Sequence, residues 1–201
     1  MKTIGITGGV GAGKSEVLSL IKDNSNCRIV LADKLAKQLE NRGNECYEAI
    51  VALLGENILD ENKQIIPARM AEKIFSEEHL LSEVNNIVHP AVKSKILEYI
   101  DDEEKRGEID FFFVEAALLI EEGYDLIFDE LWYIYADDEV RRRRLKDSRN
   151  YSDEKIDRIF ASQLDDETFR RYCSVVIDNS GDMEETKQQI LKLLNNRENN
   201  I

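Results

Sequence analysis

Gly8-Gly9-Val10-Gly11-Ala12-Gly13-Lys14-Ser15 fits the spacing G-x-x-x-x-G-K-[ST] at every fixed position. The residue types explain the chemistry. Glycines let consecutive backbone N–H groups converge on phosphate oxygens without a Cβ in the way. A helix opening directly behind them adds its positive end. An amine at Lys14 reaches the β- and γ-phosphates, and a hydroxyl at Ser15 ligates Mg²⁺. The motif needs a strand before it and a helix after it. Thr3-Ile4-Gly5-Ile6-Thr7 supplies the first, and Val17, Leu18, Leu20 and Ile21 at helical spacing within Glu16 to Lys22 supply the second. The pattern defines a nucleoside-triphosphate site without naming the reaction.

Two further features carry charge chemistry. Asp33 closes the second apolar run, Arg28-Ile29-Val30-Leu31-Ala32. A carboxylate there can accept the proton of an acceptor hydroxyl. It can equally cap the helix that begins at Lys34, and the two roles are compatible. Arg141-Arg142-Arg143-Arg144-Leu145-Lys146-Asp147-Ser148-Arg149 is the most basic stretch. Arginines over a transferring phosphoryl group stabilise its charge. A helix turns about 100° per residue, so four consecutive arginines cannot share one face. Two at most should contact nucleotide; Arg144 and Arg149 are the choice, and the others should lie on the surface. The guanine motif N-K-x-D is missing, since Asn62-Lys63 continues as Gln64-Ile65, and this favours ATP.

These residues must be positioned by a sheet. Further apolar runs, Phe111 to Val114, Leu131 to Tyr135 and Ser174 to Ile177, end at Glu115, Ala136-Asp137 and Asp178-Asn179. Five apolar strands alternating with helices predict an α/β fold with a parallel sheet covered on both faces. Ligands then sit at the carboxyl ends of the strands. Helical patterns cover Lys34 to Glu40, Glu45 to Leu54, Glu139 to Lys146 and Glu184 to Leu194. From about Gly55 to Arg106 no strand is read, and Pro67 suits the first turn of a helix. Ile87, Val88, Val92, Ile96, Leu97 and Ile100 form a stripe from Asn85 to Ile100, ended by the solvated run Asp101–Glu104. The organisation expected is one domain over 1–201. Its core is 1–59 and 107–201, with a helical acceptor-binding insertion at about 60–106 and a lid at about 141–155.

The chain has 201 residues, 42% apolar and 34% charged, which bounds it near one domain of roughly 150 residues with an insertion. Its formal charge of −14 argues against nucleic acid and anionic membranes as partners. Cys27, Cys46 and Cys173 make neither a disulfide framework nor a zinc site. No signal segment or spanning run is visible, so a soluble cytoplasmic protein is expected. His79 reads as surface. Trp132, Tyr133 and Tyr135 read as strand packing. His89 precedes Pro90, which disfavours a helical conformation for it.

Taken together, the ordered segments resemble the dephospho-coenzyme A kinase family over nearly the whole chain. They are Ile4 to Ser15, the Ala32-Asp33 strand end, Asn85 to Pro90, Glu115-Ala116-Ala117-Leu118-Leu119-Ile120-Glu121, Arg144-Leu145, Arg158 to Gln163 and Val176 to Gly181. The resemblance implies a P-loop nucleotide-kinase fold with a five-stranded parallel core, a helical acceptor domain and a lid. It implies that ATP with Mg²⁺ phosphorylates the ribose 3′-hydroxyl of dephospho-coenzyme A, the last step of coenzyme A synthesis. By that mapping Asp33 is the general base, and Gly11, Ala12, Gly13, Lys14, Ser15 and Glu16 hold the ATP phosphates behind Gly8 and Gly9. His89, Glu115, Leu118 and Leu119 line the acceptor side, Arg144 and Arg149 belong to the lid, and Asn179 lies near the adenine. The chain departs from the family pattern at three places. Glu115 and Ala117 stand where Asp and Pro are frequent, Arg149 comes one residue later than R-L-x-x-R, and Glu16 replaces a frequent Thr. A nucleoside or nucleotide kinase is the alternative, and a non-kinase nucleotide-dependent switch a more distant one. A monomer or weak homo-oligomer is expected.

Overall fold

The strands form where the sequence is apolar toward both faces, as a sheet covered by helices on both sides requires. A computed structural model describes residues 1–195. Their order is β1 (Lys2–Thr7), α1 (Lys14–Asn24), β2 (Cys27–Leu31), α2 (Ala32–Leu39), α3 (Tyr47–Leu54), α4 (Pro67–Ser76), α5 (Glu78–Arg106), β3 (Phe111–Glu115), β4 (Glu130–Tyr135), α6 (Asp138–Arg149), α7 (Asp153–Ala161), α8 (Asp166–Tyr172), β5 (Val175–Asp178) and α9 (Met183–Asn195). The five strands make one sheet in the order β2-β3-β1-β4-β5. The β1–β3, β1–β4 and β4–β5 pairings are parallel, with Ile6 opposite both Glu115 and Trp132. Parallel pairing brings the ends at Thr7, Glu115, Tyr135 and Asp178 to one edge of the sheet.

The contacts divide the chain into two units, Met1–Ile29 with Gly107 onward, and Val30–Arg106. In the first, Ile4, Ile6, Phe112, Phe113, Trp132, Ile134 and Ile177 are fully buried. Trp132 meets Phe113 edge-on at 5.5 Å and satisfies its indole N–H on Glu130 at 2.9 Å, so it is core as expected. α1 and α9 pack together, burying Val17, Ile21, Ile190 and Leu194. The three thiols are free. No helix among the described residues is long and apolar enough to cross a membrane.

The second unit is helical. It begins at Val30, where the sequence suggested about residue 60, because α2 and α3 also pack on α5 and bury Leu35, Leu39, Ile50 and Leu54. α4 starts with Pro67 in its first turn, as read from the sequence. α5 is far longer than the stripe suggested. It runs 29 residues and passes through Pro90, so His89 is helical, against the expectation for a residue before proline. Proline inside a helix costs about 3 kcal/mol. The buried row Leu80, Val84, Val88, Val92 and Ile96 outweighs that, at roughly 1.5–3 kcal/mol for each fully buried side chain. Near its end Glu103 is buried and pairs with Arg106 at 3.3 Å, so the acidic run there is not wholly solvated.

Candidate functional site

The loop between β1 and α1 is built by what lies behind it. Gly13 sits at the helix N-cap with φ +89°, a left-handed conformation that side chains rarely adopt. A Cβ there would overlap the Asn179 amide, and one on Gly9 would overlap the Arg141 guanidinium. Gly8 and Gly11 lie against the backbones of Ile134 and Arg141. With glycine at the cap, no side chain caps the first turn of α1. The first N–H groups of a helix lack intrahelical acceptors, so this end suits an anion.

Lys14 Nζ donates to Gly8 O at 2.7 Å and stands 3.7 Å from Glu115 Oε1, at the carboxyl end of β3. The two side chains are only 15% and 18% exposed, so their attraction is less screened than that of a surface pair. Ser15 and Glu16 are exposed on the first turn of α1. Glu16 Oε2 and Arg144 Nη1 flank Gly13, at 3.4 and 3.3 Å from where its Cβ would be.

A buried latch supports Ala12. Asn179 Nδ2 donates to Ala12 O at 2.8 Å, and Thr186 Oγ1 donates to Asn179 Oδ1 at 2.9 Å. Arg144 donates to Ala12 O at 3.3 Å and to Asn179 O at 2.8 Å. Asn179, just beyond β5, is 1% exposed, and its amide is spent on the Ala12 carbonyl and the Thr186 hydroxyl.

The basic run sorts by helical face. Arg141 and Arg144 turn toward the loop, with Leu145 buried between that face and Gly11. Arg142 pairs with Asp153 and Asp157, and Lys146 with Asp153. Arg143 is exposed. Arg149, five residues beyond Arg144, is exposed with its guanidinium 5.9 Å over the Tyr151 ring. Two arginines therefore reach the loop, as helix geometry demanded, but Arg141 is one of them and Arg149 is not. The sequence signal for this was the three-residue spacing of Arg141 and Arg144 beside Leu145. Gln163, which accepts from Val10 N and from Arg141, was also missed as a loop contact.

Leu118 is exposed, whereas Leu119 is fully buried against Gly5. Leu119 belongs to the core and is corrected as an acceptor contact. Asp33 and His89 lie in the second unit. Asp33 is the second residue of α2, exposed, with Leu31 at the N-cap, so it favours the helix dipole and is not the cap. His89 is half-buried beside Val88 on α5.

The donor set fits nucleotide with Mg²⁺. No group of three His, Cys, Asp or Glu side chains placed to hold a metal ion occurs among the described residues. Mg²⁺ bound with nucleotide needs none, since it takes one or two protein oxygens and completes its shell with phosphates and water. Ser15 on the first turn of α1 and Glu115 at the carboxyl end of β3, beside Lys14, would supply such oxygens.

A parallel 2-3-1-4-5 sheet carrying this loop at its carboxyl edge defines a phosphotransferase of the P-loop kinase-like fold. The dephospho-CoA kinase family model matches residues 2–185, and the chain belongs to that family. A dephospho-CoA kinase of Streptococcus agalactiae is 31% identical over 96% of this chain and 97% of its own. One of Aquifex aeolicus is 34% identical over 96% of each chain. A crystal structure from Thermus thermophilus superposes with a TM-score of 0.79 at 26% identity, covering 97% of this chain and 96% of that one.

Proposed function

We propose that this chain transfers the γ-phosphoryl group of ATP to the ribose 3′-hydroxyl of dephospho-coenzyme A, yielding ADP and coenzyme A, with the residues above in defined roles. The observation that carries the reading is the phosphate loop, whose lysine meets Glu115 and whose Ala12 carbonyl is held by Arg144 and Asn179. Loop N–H groups from Gly11 to Glu16 and the Lys14 amine bind the phosphates. Ser15 and Glu115 would hold Mg²⁺, which when bound neutralises charge on the phosphate oxygens. Arg144 stabilises negative charge that grows on the transferred group. Arg149 shares the lid at about 141–155, yet its guanidinium engages Tyr151, so Arg144 carries the contact. Asp33 takes the proton of the attacking 3′-hydroxyl. His89 and Leu118, with the helical unit, bind the acceptor. The protein works in the cytoplasm on small molecules, as a monomer or weak homo-oligomer.

The test is acceptor-dependent ADP release. Protein, ATP, Mg²⁺ and dephospho-coenzyme A should give ADP and coenzyme A, while ATP alone gives ADP near background. Product only with a free nucleoside or nucleotide would support the alternative kinase instead. Asp33→Asn should lower kcat by about 10²–10⁴, the usual reach of general base catalysis, and leave ATP binding unchanged. Turnover near wild type would remove Asp33 from the mechanism.

A further inference from the structure

Val10 sits between Gly9 and Gly11, so the tip of the phosphate loop has a pivot on each side. Glycine loses more backbone freedom on ordering than any other residue, and an unrestrained tip would lose it when nucleotide binds. Both polar groups of Val10 are held by side chains from α6 and the turn after α7. Its N–H donates to Gln163 Oε1 at 3.3 Å, and its carbonyl accepts from Arg141 Nε at 3.1 Å. Arg141 Nη2 donates to the same Gln163 oxygen at 2.6 Å, which closes a ring of three hydrogen bonds.

The arginine is itself fixed. Its guanidinium lies against Gly9, its Cζ sits 4.1 Å from the Phe160 ring centroid, and its Nη1 donates to Asp138 at 2.9 Å. Its side chain is 13% exposed, unlike those of Arg142 and Lys146 on the same helix. This is an arginine built into a wall of the loop rather than one waiting in solvent.

We infer that Gln163 and Arg141 are positioning residues for phosphoryl transfer, a clasp that holds the loop tip in its nucleotide-binding shape before ATP arrives. The clasp rests on the reading of residues 8–16 as the ATP phosphate site. Neither side chain has to touch nucleotide; each acts through Val10. ATP affinity therefore depends on the clasp, and acceptor affinity does not.

The experiment measures ATP dissociation constants by calorimetry, the KM for dephospho-coenzyme A, and melting temperature, for wild type, Gln163→Ala, Arg141→Lys and the double variant. Gln163→Ala should weaken ATP binding roughly tenfold, the size of one net hydrogen bond to a charged group. The acceptor KM should stay within about twofold, because no acceptor contact is removed. Lysine keeps the charge at 141 but cannot place two donors in a fixed fork, so Arg141→Lys should weaken ATP as much as Gln163→Ala does. The double variant should be no worse than either single one, since both break one network. Faster amide exchange at Val10 in Arg141→Lys gives a readout free of catalysis, and serves if Gln163→Ala does not fold. Unchanged ATP binding in either variant, or equal losses for ATP and acceptor with a lowered melting temperature, overturns the clasp. Failure of wild type to bind ATP, or of Lys14→Ala to weaken it, sinks instead the phosphate-site reading and the clasp with it.

Discussion

Asn179 shows how one side chain can serve a site through the backbone it holds. Its amide spans two elements, donating to Ala12 in the loop and accepting from Thr186 on α9. Replacing it with alanine leaves the buried Thr186 hydroxyl and the Ala12 carbonyl each short of one bond. Each keeps another partner, Arg144 for the Ala12 carbonyl and the Asp182 carbonyl for the Thr186 hydroxyl, so the loss is two net hydrogen bonds at about 0.5–1.5 kcal/mol each. Asn179→Ala should therefore lower unfolding stability by about 1–3 kcal/mol in urea titration, and weaken ATP binding with it. A variant as stable as wild type would show the latch to be idle. The residue types of the loop itself were legible, because each acts through its backbone or one terminal group at a fixed spacing. Asn179 and Leu119 were not, because their roles depend on which way a side chain leaves the chain after a strand, and spacing does not record that. Burial sets a further property at this scale. Cys173 loses solvation and its thiol is pushed up from 9.0 to about 12, so it stays neutral at pH 8 and should resist iodoacetamide in the folded protein. Between those values the folded state holds a proton that the unfolded state has released. This contribution to stability is complete below pH 9 and is lost as pH rises toward 12. Rapid labelling of native Cys173 at pH 8, read by mass spectrometry, would contradict its burial.

At the scale of elements, α6 and α5 mark what periodicity does and does not reveal. The α6 run has too many arginines for composition to rank them. Three-residue spacing and the position of Leu145 choose the face, and the acids on α7 take Arg142 and Lys146 away from it. The strands were read to within a residue or so because their apolar runs are short and uninterrupted. The length of α5 was missed because Pro90 looks like a boundary, whereas the force that keeps the helix going is tertiary: the buried row from Leu80 to Ile96. The proline thus works against its own helix. Pro90→Ala restores a donor for the Asn86 carbonyl, and proline is about 3 kcal/mol worse than alanine inside a helix. The variant should be more stable by about 1–3 kcal/mol, seen as a raised melting temperature. Its neighbour His89 is proposed to bind the acceptor, so the KM for dephospho-coenzyme A should rise in the same variant, the usual cost of stabilising a functional segment. A fall in stability would mean that Pro90 fits a bend the rest of α5 requires.

For the whole molecule, the charge of −14 and a polyanionic substrate look opposed. The distribution of cations resolves this. Lys14, Arg141 and Arg144 are held at the loop by hydrogen bonds to Gly8, Val10 and Ala12, so the positive charge is built into the walls of the phosphate site. Arg142 and Lys146 instead turn to Asp153 and Asp157 on α7, away from the loop contacts that Arg141 and Arg144 make, and add little field there. Carboxylates elsewhere act across solvent, where the Debye length of about 8 Å at physiological salt screens them. Local attraction should therefore set the sign of the salt response. Raising KCl from about 0.05 to about 0.5 M should weaken ATP binding several-fold, as added ions screen the charges around the loop. Calorimetry at constant Mg²⁺ separates this from competition for the metal. The same titration on Arg144→Gln should give a shallower dependence, because one of the three fixed cations is gone. If ATP instead binds more tightly as salt rises, repulsion from the acidic surface outweighs the loop. The net charge would then act on the substrate, and not only on how the protein behaves in solution.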